Sequence, residues 1–284
     1  MEEVNLKKIE YAKLLFNKID SLMLCPFCNN ELNLNNNSLV CCNNHNFDIS
    51  RKGTTVLYKT SKLKNDRIYT KDLFLNRRHF INLGFYDELH CEIARIINKY
   101  APQIILDMGS GDGTHDFIIS KKIKNKSLFI GIDLAKDGVD LANDYINQNL
   151  LNIVGDLNNV PLKSKSIDMI LNILSPSNES EMNRLLKKDG IIIKVTPKQE
   201  YLKELRESLN IKEYENENVI AQNIEDKYTV IEKKEIIKTF TLNEQALNYL
   251  VKMTPMMNNI IEIPNINSIT IALNIYVLRI KDGK

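Results

Sequence analysis

An apolar run, Ile104-Ile105-Leu106, leads directly into Asp107-Met108-Gly109-Ser110-Gly111-Asp112-Gly113, and the residues beyond, as far as Lys122, read as a helix. A strand that passes into a helix through three closely spaced glycines leaves few architectures open, because those glycines let the backbone turn tightly and approach a ligand. The chain then repeats the rhythm. Strands over Leu128 to Ile132, Ile153-Val154, Ile167 to Leu174 and Ile191 to Thr196 alternate with helices over Ala135 to Tyr145 and Gln199 to Ser208. That alternation predicts an α/β fold, a parallel sheet with helices on its faces. Two further strands are expected near residues 228–240 and 269–280.

Upstream, Leu6, Ile9, Leu14, Leu15, Phe16 and Ile19 lie among lysines and glutamates, the pattern of an amphipathic helix over residues 4–19 whose partner the sequence does not identify. Residues 21–58 are short apolar pairs broken by Asn29-Asn30, Asn35-Asn36-Asn37 and Asn43-Asn44, which read as β-hairpins too small to be stable alone. They need a staple. No apolar run approaches the ~20 residues that cross a bilayer, and the first eight residues lack the apolar core of a secretory signal. The protein is therefore expected in the cytoplasm and off the membrane. In that reducing compartment a disulfide framework is not expected, yet four of the five cysteines fall within residues 25–42.

Cys25-Pro26-Phe27-Cys28 sets two thiols on a tight knuckle, and Cys41 with His45 supplies a second pair. The set resembles a closed, tetrahedral Cys3His zinc site with Zn–S near ~2.3 Å and Zn–N near ~2.0 Å, structural because no coordination position is left open. Cys42 stands beside Cys41 and offers an alternative third thiol; Cys41 is preferred. Cys91, in the apolar stretch 87–99, reads as a small buried hydrophobe.

Charge is unevenly spread. Between residues 51 and 81 stand Arg51, Lys52, Lys59, Lys62, Lys64, Arg67, Lys71, Arg77 and Arg78 against Asp66 and Asp72, a local +7 in a chain whose net charge is +2. A polyanion would sit there, the plain alternative being a solvated linker.

Asp133, at the end of the strand after the glycine loop, is placed for a ribose diol, the plain alternative being a strand-end turn residue. A dinucleotide enzyme would present G-x-G-x-x-G to a pyrophosphate; here an acid, Asp107, precedes the loop and suits the ammonium of a methionyl group. The D-x-G-x-G-x-G run resembles motif I of class I, Rossmann-like methyltransferases. That resemblance implies S-adenosylmethionine as cofactor, held by Asp107, Gly109, Gly111, Asp112, Asp133 and Leu134, with Asp156 and Leu157 at the adenine.

Asn172-Ile173-Leu174-Ser175-Pro176 lacks the second proline and the aromatic of the elements that methylate exocyclic amines, and no cysteine is placed for covalent attack on a pyrimidine. A ring nitrogen or an oxygen, alkylated directly, fits better. Several segments together are similar to the RlmA family of 23S rRNA guanine-N1 methyltransferases, nearest its Gram-positive branch, which includes tylosin-resistance enzymes. They are the zinc hairpin through Asp48, Asn76-Arg77-Arg78-His79-Phe80 with Gly84-Phe85-Tyr86, the Gly109 loop, Asn172 to Pro176, Thr196-Pro197 with Tyr201-Leu202, and Met253-Thr254-Pro255. The resemblance implies a zinc-ribbon-like module that helps grip an rRNA hairpin, a homodimer, and Tyr86 and Tyr201 enclosing the cofactor. It divides the chain into a helical extension (1–20), the zinc module (21–58), a basic linker with helices (59–100) and the methyltransferase domain (101–284). Arg77 and Arg78 are then expected on the RNA, Asn172 and Ser175 beside the base, and Asp112 or Asp156 as acceptors of its proton. The rival readings are a small-molecule methyltransferase and a non-catalytic rRNA-binding protein.

Overall fold

The computed structural model describes residues 6–59, 68–210, 217–255 and 264–281. Helix α1 (Lys8–Lys18) buries Ala12, Leu15 and Phe16, and Ile19 extends that face by one further turn, the spacing of a single helical stripe. Its partner is a small antiparallel sheet of β1 (Leu32–Asn35), β2 (Ser38–Cys41) and β3 (Asn46–Asp48), in the order β1-β2-β3. Leu32, Leu39 and Phe47 from those strands share one apolar cluster with Phe16 and with Leu106 and Ile130 of the main domain. β4 (Val56–Leu57) leaves the module altogether and pairs in the main sheet. Two residues are too few to show as a strand in the sequence pattern.

α2 (Lys71–Phe80), capped by the Thr70 side chain on the Leu73 amide, runs through a wider turn at Ile81–Phe85 into α3 (Asp87–Tyr100). Then come β5 (Ile104–Met108), α4 (Thr114–Lys122), β6 (Leu128–Asp133), α5 (Lys136–Ala142), β7 (Leu150–Gly155) and β8 (Ile167–Ile173). After α6 (Glu179–Leu185) the chain forms β9 (Leu186–Pro197), α7 (Lys203–Ser208), α8 (Glu217–Lys227), β10 (Tyr228–Thr241), α9 (Glu244–Met253) and β11 (Ser268–Ile280). The eight-stranded sheet has the order β10-β11-β9-β8-β5-β6-β7-β4. β11 pairs antiparallel with β9 and β10, and the other neighbours are parallel. Both neighbours of β5 lie on its two sides, so the order reverses there. A crevice opens beyond the carboxyl ends of strands at such a switch point.

Three expectations change, the first being that α7 starts at Lys203 and not at Gln199, because Leu202 before it is left-handed (φ 53). α5 ends at Ala142 rather than Tyr145 because the next side chains are committed elsewhere: buried Asn143 donates to Thr54 Oγ1 (3.0 Å) and accepts from Asn152 (3.2 Å). Cys91 is exposed, not buried. The buried stripe of α3 runs through Leu89, Ile93, Ile96 and Ile97, and a residue two positions from Leu89 points about 200° away from it. Lys62, Lys64, Asp66 and Arg67 of the basic stretch, and Val4 and Asn5 of the first helix, lie outside the described residues. Among the described residues no helix is long and apolar enough to cross a membrane.

Candidate active site and metal centre

At the metal centre, one ligand atom each from Cys25, Cys28, Cys41 and His45 lies within 4.8 Å of all the others. Each pair sits on a tight turn with an asparagine in the left-handed region, Asn29 (φ 58) and Asn44 (φ 61), a conformation asparagine tolerates better than most residues. His45 Nδ1 is 3.4 Å from the sulfurs of both Cys25 and Cys41, and Cys28 Sγ is 3.7 Å from Cys41 Sγ. A tetrahedral ion with Zn–S of ~2.3 Å needs edges of roughly 3.4–3.8 Å, so three thiols and an imidazole at these spacings fit zinc. Burial pushes the Cys25 thiol up to about 11. The Asn30 backbone amide, foremost, draws Cys28 down to about 6. Cys42 is exposed and turns its sulfur toward Asn43.

At the switch point, the amides of Gly109 and Ser110 donate to the Ile132 carbonyl (2.8 and 3.2 Å), which folds the loop back across β6. Asp133 accepts from the amides of Gly111 (2.9 Å) and Ala135 (2.8 Å), and so fixes the loop to the strand end where its own carboxylate stands. Beside it Leu134 is 51% exposed, a large apolar side chain facing out at the rim. Asp107 is buried, with Oδ1 unpartnered, and Ser110 Oγ is also buried and unpartnered. Burial, then the neighbouring carboxyl of Asp116, holds the Asp107 carboxyl well above the usual carboxylate range; Asp116 itself is pushed up to about 7 by burial. Among the described residues neither acid has a cation beside it.

Across the crevice, Leu174 is held left-handed (φ 52) just after β8, and Ser175 hangs over Gly109. A Cβ on Gly109 would stand 1.9 Å from Ser175 Oγ and 3.8 Å from Leu157 Cδ1. A non-glycine residue in that region costs of order 1–3 kcal/mol and marks a constrained site. Tyr86 and Tyr201 meet with their hydroxyls 2.7 Å apart, and burial raises the Tyr86 phenol. Buried acids without a cation, a glycine floor and an apolar rim fit a nucleoside that carries an amino-acid tail. Asp156 lies at the end of β7, half-exposed, and accepts from Asn158 N (2.8 Å) and Nδ2 (3.0 Å).

Three residues expected on the RNA or beside the base are hydrogen-bonded within the protein. Arg78 donates to Asp112 Oδ2 (3.1 Å), Asp144 Oδ2 (3.1 Å) and the Leu141 carbonyl (2.8 Å), and its guanidinium lies 4.5 Å from the Tyr145 ring centroid. It clamps α2 to the glycine loop, with its charge paired to two carboxylates. Asp112, its partner, also accepts from the Thr114 hydroxyl on the same oxygen, which ties it to α2 and α4. Asn172 donates to the carbonyls of Met108 (2.8 Å) and Pro176 (3.2 Å) and accepts from Lys194 (2.6 Å), so it braces the Ser175 loop and does not face a base. Lys194 is not marked out by the sequence, nor is buried His90 with its partly buried partner His115 (2.8 Å); burial draws the lysine down to about 8. A histidine in the first turn of the helix that follows the glycine loop is the available signal for His115.

Arg78→Met should leave buried Asp112 without its cation, a loss of about 3 kcal/mol in denaturant unfolding, while the salt slope of RNA binding stays unchanged. An unchanged midpoint with a slope lowered by about one would return Arg78 to the RNA.

The family model described as "RlmA, N-terminal" matches residues 23–58 and that described as "Methyltransferase domain" matches residues 102–244. The chain is 34% identical over 250 residues to the Bacillus subtilis protein YxjB, covering 83% of this chain and 86% of that one; its name places it with the 23S rRNA (guanine-N1)-methyltransferases. It is 26% identical to the 23S rRNA (guanine(748)-N(1))-methyltransferase of Streptomyces fradiae, covering 90% and 95% of the two chains. Among solved structures it is similar to the MccD protein, with TM-score 0.48 and 14% identity over 68% of this chain and 97% of that one. With a zinc-ribbon module, a class I methyltransferase sheet and a relative matched over more than four fifths of both lengths, the chain belongs to the RlmA family of 23S rRNA (guanine-N1)-methyltransferases.

Proposed function

We propose that this protein transfers the methyl group of S-adenosylmethionine to N1 of a guanine in a 23S rRNA hairpin, with one zinc ion holding the N-terminal ribbon. The observation that carries the reading is the crevice where Ser175 overhangs Gly109. The glycine floor and the loop that closes over an acceptor base are in contact there, so a bound cofactor's sulfur would open directly on the base. When bound, the cofactor supplies an electrophilic methyl group on a sulfonium. Asp133 would hold the ribose diol, Leu134 and Leu157 would cover the adenine with Asp156 beside its amino group, and Asp107 would face the amino-acid tail. Tyr86 and Tyr201, already bonded to one another, would close the side of the site.

For the ribbon we propose Cys25, Cys28, Cys41 and His45 as zinc ligands. Phe27, 45% exposed and stacked 5.1 Å from His45, gives that module an aromatic surface for an unpaired base. The division at residues 20, 58 and 100 is kept as a functional partition, although β4 belongs to the main sheet. Among the described residues of the basic stretch, Arg51, Lys52, Lys59 and Lys71 are exposed and suit rRNA phosphates. A homodimer belongs to the same proposal, with exposed Ile231 and Ile237 on the edge strand β10 as apolar surface for it. The substrate puts the enzyme in the cytoplasm.

Purified protein, S-adenosylmethionine and 23S rRNA from a strain lacking the gene should yield one N1-methylguanine, located by mass mapping. No incorporation into rRNA, with methyl transfer to small nucleophiles, would favour the small-molecule reading. Tight rRNA binding without any transfer would favour the non-catalytic one.

A further inference from the structure

Arg77 lies in the cofactor crevice, not on the outer surface that its place in a basic stretch suggested. It follows Phe74 by three positions on α2, so the two share a helix face. The guanidinium carbon is 5.5 Å from the Phe74 ring centroid. The same ring forms part of the wall of the glycine loop, since a Cβ at Gly111 would meet Phe74 Cε1 at 3.2 Å and Arg77 Nη1 at 3.9 Å. Its charge is felt at Asp133, Tyr86 and His115, three groups that surround the cradle. Arg78 beside it has an acceptor for each of its nitrogens. Arg77, half-buried, has only the aromatic ring beneath it and no ion pair among the described residues.

The charges of the crevice are sorted. Buried carboxyls flank the glycine loop, Asp107 in the strand before it and Asp116 in the helix after it, while the unpaired guanidinium stands by Gly111. A zwitterionic tail has one group for each: an ammonium for the acids and a carboxylate for the arginine, whose planar fork suits a carboxylate. We propose that Arg77 binds the carboxylate of the cofactor's amino-acid tail and thereby fixes the sulfur over the glycine loop. The inference rests on the S-adenosylmethionine reading above. A phosphate of the RNA has the same anionic chemistry, and the test separates the two sources.

The probes are S-adenosylhomocysteine and its decarboxylated analogue, titrated by calorimetry into wild type and Arg77→Gln. Wild type should bind the parent compound roughly tenfold to hundredfold more tightly than the analogue, as a charge-assisted pair implies. Arg77→Gln should lose that preference, weakening on the parent compound and staying level on the analogue. The salt slope of RNA binding should match wild type. Equal wild-type affinity for the two probes overturns the inference alone and needs no variant that folds. Equal weakening of both probes in the variant assigns Arg77 to support of the fold and also overturns it. Unchanged probe affinities with a reduced salt slope move Arg77 to an RNA phosphate. Wild type that binds neither probe brings down the cofactor reading itself.

Discussion

Cys25→Ser should yield protein without zinc and with residues 23–48 open to hydrogen exchange, while wild type carries about one zinc per chain. The three strands of the ribbon have 4, 4 and 3 residues, below what a sheet needs to stand without a staple. Structural zinc in comparable peptides is worth roughly 10–16 kcal/mol of apparent folding free energy, so the ribbon has no reserve against its loss. The damage should spread beyond the module. Leu32, Leu39 and Phe47 pack in the same cluster as Phe16, Leu106 and Ile130, and Leu24 donates from the knuckle to the Pro161 carbonyl (2.9 Å). A fall in global stability above about 4 kcal/mol is expected. Cys42→Ser should retain both the metal and the stability, because Cys42 is exposed and outside the cluster. Full zinc retention in Cys25→Ser, or loss in Cys42→Ser without loss in Cys41→Ser, would sink the ligand set.

The sequence carries those parts of the molecule whose physics is local. Strands β5 and β8 were legible to within a residue, because a parallel strand covered on both faces must be apolar throughout and a glycine loop bounds one of them. The Cys25 and His45 pairs were legible because each closes a turn of a few residues. What stayed hidden was decided by contacts between distant positions. Arg77 and Arg78 are adjacent and chemically alike in the sequence, yet one is saturated by Asp112, Asp144 and Leu141 and the other stands by Gly111. A local sum of charges has no knowledge of which helix face meets the loop. The partners of Asn172 stay hidden for the opposite reason. Its place near the end of a strand marks it as important, but the partners of its amide, Met108, Pro176 and Lys194, come from three other segments. Cys91 was misplaced by treating α3 as apolar all round, when only one stripe of it is buried.

Gly109→Ala should cut affinity for S-adenosylhomocysteine at least a hundredfold, about 2.7 kcal/mol, and lower the unfolding midpoint as well. Two costs coincide at this position. Gly109 has φ 92, where a side chain is strained by of order 1–3 kcal/mol. The new methyl group would also lie 1.9 Å from Ser175 Oγ and 2.6 Å from Ser175 Cβ, so one of the two loops must move. Ser175 has little freedom to yield, since Leu174 before it is already left-handed and Asn172 ties the Pro176 carbonyl to β5 through the Met108 carbonyl. The displacement therefore falls on the glycine loop, whose Gly111 amide is what holds the Asp133 carboxylate in place (2.9 Å). The double variant Gly109→Ala, Ser175→Gly separates the costs, because it relieves the contact and leaves the dihedral strain. Partial recovery of binding, by roughly tenfold, is expected if the contact carries about 1.4 kcal/mol of the loss. Full recovery would mean that the backbone accepts alanine without strain. Wild-type affinity in Gly109→Ala alone would show that the cofactor lies elsewhere than over this loop, and the assignment of Asp107 and Asp133 to its two ends would fall with it.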